Sequence, residues 1–215
     1  MSNRTRILET SREQMNLYGA HSVSTNHICT LLDISPGNLY YHFKNKEQIV
    51  SALFSDLEVD FRKTFLQEHP TAITPAVFSA YYIRTLDVAW RHRFFFSNLL
   101  YLIRKDPILA SDYRKLQSWA LDRLAAIARQ VADEGHLQAR NPRRVSRSIA
   151  TNTWLIWSNW IGHLEISRGS ADIERRDMIE GVEQIFDVMS GYLSTEFEAS
   201  ARKQLKKELK KSSPA

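Results

Sequence analysis

The chain has 215 residues, 43% of them hydrophobic and 25% charged. That composition excludes a disordered chain and leaves one large domain or two smaller ones. A single cysteine, Cys29, excludes an internal disulfide and fits a reducing, cytoplasmic setting. The net charge of +5 points to an anionic partner, yet the segment RKQLKKELKK (202–211) alone carries that excess. Its charges read either as a solvated helix end or as an anion-binding arm. The opening residues, MSNRTRILETSREQ, are polar and contain no apolar signal segment. No run approaches the length of a membrane span, so no membrane partner is expected.

Glycine is scarce, and no stretch alternates apolar and polar residues between hairpin turn signals. The apolar spacing is mostly three or four, which predicts an all-α protein. A first helix is expected over 4–18, with Ile7, Ser11, Met15 and Tyr18 on one face and Gly19 ending it. Ser24 can cap a short helix over 25–32. Ser35 followed by Pro36 starts a third helix, with a capping residue and then proline at the first helical position. Asn45 can cap a fourth helix reaching to about residue 67. The segment HPTAITP (69–75) is a linker. Further helices are expected over 76–90, 92–104, 108–133, 143–166 and 178–210, with breaks at Arg91-His92, Asp106-Pro107, Gly135 to Pro142 and Gly169-Ser170.

Residues 24–43 have the spacing of a helix-turn-helix, two short helices joined at Leu32-Asp33-Ile34. Ile28, Leu32, Ile34, Leu39 and Phe43 can pack on the Ile7/Met15 face of the first helix. If Leu39 and Phe43 point inward, helical geometry turns Pro36, Gly37, Asn38, Tyr40, Tyr41 and His42 to the other faces. Such a set suits DNA. Gly37 lets the backbone approach closely, Asn38 can pair with a base edge, and tyrosine or histidine can bond phosphate. Lys46 lies in the first turn of the fourth helix, where free backbone N–H groups also favour phosphate.

Ile7, Leu8, Ser11, Met15, Gly19, Ser24, Ile28 and the block SPGNLYYHFKNKE (35–47) resemble the DNA-binding domain of the TetR/AcrR family of bacterial transcriptional regulators. The resemblance covers about a quarter of the chain. It departs at Asp33, where the family usually has glycine in the turn, at Arg12 and at Cys29. It implies DNA contacts at Asn26, Ser35, Gly37, Asn38, Tyr40, Tyr41 and His42, a phosphate contact at Lys46, and lesser ones at Pro36 and Lys44. It also implies a division into a helix-turn-helix domain (1–50), a helical effector-binding and dimerisation domain (51–201) and a basic tail (202–215).

Most of the aromatic residues fall between 76 and 166. Bulky side chains in a helical bundle are first of all core. By resemblance, the bundle also encloses a pocket for a small hydrophobic or aromatic effector, lined by Tyr82, Leu86, Phe95, Leu99, Trp119, Trp154 and Trp157. Helix 143–166 carries one stripe of Ala150, Trp154, Trp157, Ile161 and Leu164 and a second of Ile149, Ile156, Trp160 and His163. A helix apolar on two sides is buried on two sides. One side is expected to face its own bundle and the other a second subunit, with His163 hydrogen-bonded in the seam. Helices 143–166 and 178–200 of two chains would then make a homodimer, as in the family.

Catalysis is not expected. There is no Glu-x-x-His pair, no aspartate-rich DDxxD run and no HExxH. Neither a cofactor nor a metal is expected. The resulting expectation is a ligand-responsive regulator, a repressor, bound to a palindromic double-stranded DNA operator as a dimer. The alternative is a helical ligand-binding or adaptor protein without DNA binding.

Overall fold

The computed structural model describes residues 1–66, 71–168 and 173–211. Within them the chain forms eleven α-helices and no strand. They are α1 (Asn3–Tyr18), α2 (Thr25–Leu32), α3 (Pro36–His42), α4 (Lys46–Leu66), α5 (Pro75–Arg91), α6 (Arg93–Ser97), α7 (Leu99–Lys105), α8 (Pro107–Asp133), α9 (Pro142–Arg168), α10 (Asp177–Ser190) and α11 (Thr195–Lys211). The start of the linker over 69–75 and the break at Gly169-Ser170 lie outside the described residues.

Local chemistry sets most helix starts. Ser24 Oγ accepts from His27 N at 3.1 Å, Ser35 Oγ from Asn38 N at 3.2 Å and Asn45 Oδ1 from Gln48 N at 2.9 Å. Thr74 and Asp106 do the same for α5 and α8, each followed by proline at the first helical position. These side chains satisfy N–H groups that a helix leaves unpaired.

α4 is the spine. Ile49, Leu53, Leu57, Phe61 and Phe65 recur every fourth residue and are all buried. The stripe lets one helix pack on α1 at its start and on α5 and α8 further along. α4 runs without interruption across residue 50, where the two expected domains meet.

Two expected helices prove to be four. The stretch 92–104 breaks at Asn98 (φ −113°, ψ 15°) into α6 and α7. Both the Asn98 backbone N–H, at 3.2 Å, and its side-chain amide, at 2.9 Å, donate to Phe94 O, so one side chain doubles the contact that ends α6. The stretch 178–210 breaks at residues 191–194. There the backbone leaves the helix to pair with a distant segment: Gln138 N donates to Tyr192 O at 2.7 Å and Ser194 N to His136 O at 2.8 Å. The expected boundary at Arg91-His92 is present. The basic stretch 202–211 is helical rather than frayed, and Leu205 and Leu209 bury against the bundle.

The two stripes of α9 part company. Ala150, Trp154, Trp157, Ile161 and Leu164 are buried. Trp160, of the second stripe, is covered by α10 of the same chain: its Nε1 donates to Asp177 O at 3.0 Å and its ring lies against Gly181. His163 is exposed on the single chain, its ring tilted 37° to that of Trp160 at 5.2 Å. The outward face of α9 instead carries Leu155 and Ile166. The approach of α10 to Trp160 yields a prediction. A Cβ on Gly181 would meet the indole at 2.7 Å. Gly181→Ala is therefore expected to destabilise the protein by about 1–3 kcal/mol, read from urea denaturation midpoints.

Candidate DNA interface and interior cavity

α1, α2 and α3 form a small head around Ile7, Met15, Ile28, Leu39 and Phe43, all buried. The turn between α2 and α3 is closed by Asp33 in the left-handed conformation (φ 52°, ψ 51°), the place where glycine is the easy choice. Its N–H bonds back to Cys29 and Thr30 carbonyls, which ends α2 and lets Ser35 start α3.

With Leu39 and Phe43 inward, the rest of α3 faces out. Ser35, Pro36 and Gly37 are exposed at the helix start, Tyr41 is 85% exposed and Tyr40 48%. The Tyr40 hydroxyl lies 3.5 Å from Thr25 Oγ1, and His42 is half-buried with its ring edge-on to Tyr41 at 5.1 Å. Asn38 is half-buried because Asn3 Nδ2 donates to its Oδ1 at 3.2 Å. Asn26 is exposed on α2, and Lys44 is exposed before α4 with its backbone N–H donating to Gln48 Oε1 at 2.8 Å. Lys46 sits apart from the exposed row. Its ammonium donates to His21 O at 3.4 Å, and burial, with Lys105 nearby, holds its pKa below the ordinary lysine value. Thus α3 and the exposed start of α2 form one surface, with Lys46 docked at its edge. Asn3 and Thr25, which hold Asn38 and Tyr40 in place, have no signature in the sequence.

Two contacts tie the head to the bundle. Asn16 of α1 donates to Arg91 O and accepts from Phe94 N, each at 2.9 Å, and so satisfies the broken backbone between α5 and α6. Just beside it, the fully buried His92 ring bonds Asp60 Oδ2 of α4 at 3.1 Å, a carboxylate that also accepts from Arg91 at 2.9 Å. Burial depresses the His92 pKa despite Asp60. As pH falls below about 6.5 the unfolded imidazole takes up a proton before the folded one does. The stability contribution is therefore full above that pH and is lost as pH falls towards the folded value. Urea midpoints of the wild type should drop more between about pH 7.5 and pH 5 than those of His92→Gln.

Inside the bundle, α4, α5, α8, α9 and the α10–α11 turn enclose a cavity. Its wall includes Phe61, Phe65, Tyr82, Thr153, Trp157 and Met189, and none of its lining residues carries a charge. The space open to a water-sized sphere is about 20 Å³, room for about one water. Its polar groups are few. Tyr82 OH reaches Met189 Sδ at 3.5 Å and shares a hydrogen bond with Thr153, and burial pushes the phenol far above its usual pKa, keeping it neutral. Of the residues expected to line a pocket, Tyr82 and Trp157 lie on this wall. Trp119 and Trp154 stand edge-on to Phe61 at 6.3 and 5.9 Å without lining the space. Phe95 packs against Phe54 and Tyr113, while Leu86 is fully buried and Leu99 half-buried elsewhere in the core.

A short head that exposes one face of its second motif helix, set on a larger helical bundle, defines a helix-turn-helix regulator. A family profile described as "Bacterial regulatory proteins, tetR family" matches residues 7–53, and one described as "Bacterial transcriptional repressor" matches 61–200. The solved structure of a TetR-family transcriptional regulator from Marinobacter aquaeolei VT8 is 31% identical, with a TM-score of 0.86 over 96% of this chain and 98% of that one. A TetR transcription regulator from Haloarcula marismortui shares the fold at 14% identity, with a TM-score of 0.65 over 90% and 100% of the two chains. The HTH-type transcriptional regulator UidR of Escherichia coli K12 is 48% identical over 50 residues, 23% of this chain and only 26% of UidR. The chain belongs to the TetR family. It is a transcriptional regulator with a DNA-binding helix-turn-helix domain, and not an enzyme. Among the described residues no helix is long and apolar enough to cross a membrane.

Proposed function

We propose that this regulator is a ligand-responsive repressor that binds a near-palindromic operator as a homodimer. The observation that carries the reading is the outward set of α3: Gly37, Tyr40 and Tyr41 are exposed while Leu39 and Phe43 close the head core. Asn26, Ser35, Gly37, Asn38, Tyr40, Tyr41 and His42 meet the major groove and its phosphates, with Pro36 and Lys44 at the margin. Lys46 reaches phosphate by exchanging the His21 carbonyl for it. Residues 1–50 act as the reading head, 51–201 as the effector and dimer domain, and 202–215 as a basic tail.

Lys46→Ala should weaken binding to all sequences nearly equally and lower the slope of log K against log salt by about one. Fluorescence anisotropy on operator and scrambled duplexes at several salt concentrations measures it. A change confined to the operator would remove Lys46 from the phosphate contacts.

The dimer uses the outward faces of α9 and α10 and the turn after α10, where Leu155, Ile166, Val188 and Tyr192 are exposed apolar residues. Such residues on adjoining helices suit an isologous contact, in which one patch meets its own copy. Sedimentation velocity at micromolar concentration tests it, and a monomer would contradict it. The effector is neutral and hydrophobic, because the cavity lining is uncharged and Tyr82 and Thr153 offer it only hydroxyl groups. With so little free space, a ligand must displace side chains to enter. Its signal passes through α4, whose Phe61 and Phe65 line the cavity and whose first turn abuts the head.

A further inference from the structure

A second recess lies on the other side of the head–bundle junction. It is an open cleft of about 640 Å³ between the end of α1, the α6–α7 corner and α9. Its lining includes Asn16, His21, Arg93, Asn98, Ile161 and Glu165. Two of these side chains hold opposite charges with no ion-pair partner among the described residues. Arg93 donates to Trp90 O at 3.2 Å and stacks at 4.2 Å over the Trp90 ring, and no carboxylate lies within 4.0 Å of it among the described residues. Glu165 has the Ser97 hydroxyl as its hydrogen-bond partner, and no cation lies within 4.0 Å of it among the described residues. Both are half-buried, and burial moves each towards its uncharged form: the Arg93 pKa is lowered, and the Glu165 pKa is raised against the opposing Ser97 hydrogen bond. Two other half-buried arginines are paired, Arg202 with Glu198 and Asp187, and Arg175 with Asp87.

An unpaired cation and an unpaired carboxylate on the walls of one cleft, too far apart to pair with each other, ask for a guest that carries both charges. We propose that this cleft binds a small zwitterion of the free amino acid type, its carboxylate on Arg93 and its ammonium on Glu165. Arginine suits the carboxylate because its planar fork can hold both oxygens, and stacking on Trp90 fixes the plane of that fork. Asn98 Oδ1 offers an acceptor on the cleft wall, and Ile161 offers an apolar surface for a side chain. Neither charge in this cleft belongs to the cavity between α4, α8 and α9, whose lining is uncharged. The cleft also lies off the outward face of α9, since Ile161 and Glu165 are turned away from Leu155 and Ile166 by helical geometry. A guest here touches Asn16 and α9 together, and so bridges the head and the bundle.

The test uses the full chain, without DNA, in isothermal titration calorimetry against the twenty standard L-amino acids one at a time. At least one is expected to bind with a dissociation constant below about 10 mM. The corresponding amine without the carboxylate, and the corresponding acid without the amine, should each bind at least tenfold more weakly. Glu165→Gln should weaken the amino acid at least tenfold without weakening the deaminated acid. Arg93→Gln should weaken the amino acid similarly without weakening the decarboxylated amine. Both substitutions keep the side-chain bulk, and unchanged melting temperatures establish that the variants fold. No amino acid binding below 10 mM, or binding that neither substitution weakens, overturns the proposal.

Discussion

Phe61→Ala is expected to lower the unfolding free energy by about 3–5 kcal/mol and to open a cavity that binds small aromatic molecules. Phe61 is 1% exposed and is the hub of the aromatic interior: its ring lies 5.2 Å from Phe65, 6.3 Å from Trp119, 5.9 Å from Trp154 and 5.0 Å from Trp157. Truncation removes the buried area of one ring and also the packing partners of four others. The neighbours sit on α4, α8 and α9, three helices that hold one another in place, so the site collapses only in part. The lost ring adjoins the existing small cavity, which makes the new space continuous with it. Indole or benzene should then restore part of the lost stability by mass action, raising the denaturation midpoint of Phe61→Ala but not of the wild type. A loss below about 1 kcal/mol would mean that the interior is loosely packed and that Phe61 is no hub.

Asn38→Ala should relax the choice among operator variants, at a cost on the order of 1–3 kcal/mol for the preferred base pair. Asn38 is the residue on α3 able to pair with both a donor and an acceptor on a base edge. In the free protein its Oδ1 is held by Asn3 at 3.2 Å. Reading a base with that oxygen therefore requires exchange of one hydrogen bond for another, so the measured cost falls towards the lower end if the Asn3 bond is strong. Asn3→Ala provides the check. It frees Asn38 without removing it, and should change operator affinity far less than Asn38→Ala. Competition binding with a set of single-base operator variants separates the outcomes. An unchanged ranking in Asn38→Ala would take base reading away from this residue.

The head was legible because its instructions are local. Ser24, Ser35-Pro36 and Asn45 mark helix starts within a few residues of where they act, and each side chain bonds the N–H three residues on. Leu39 and Phe43 at a spacing of four fix which side of α3 is core, and the remaining faces follow. The bundle was less legible because its breaks depend on distant partners. Asn98 is an ordinary helix residue by propensity, and α6 ends there within a corner built from Phe94, Phe95 and Phe96 against α9. The break between α10 and α11 does have a local sign in Gly191, but its geometry is dictated by residues 136–138, more than fifty positions away. The cavity shows the same limit. The aromatic positions on α5 and α9 were expected to form its wall, and Tyr82 and Trp157 do so. Phe61 and Phe65 lie outside 76–166, the stretch from which the expected lining residues are drawn. The signal was present in the spacing Ile49, Leu53, Leu57, Phe61 and Phe65, an apolar stripe sustained over five turns, longer than contact with a head alone requires.

The central claim is that the exposed face of α3 reads DNA as one half of a symmetric pair. It is tested most directly by footprinting the wild-type chain and Tyr40→Ala on DNA flanking the protein's own gene, with affinities followed from low to moderate salt. The expected result is a protected, near-palindromic site whose half-sites lie about one helical turn apart or somewhat more. Log K should also fall linearly with log salt, and a correctly folded Tyr40→Ala should give a weaker footprint. Binding that is equally strong on every sequence, or that Tyr40→Ala leaves untouched, would contradict it.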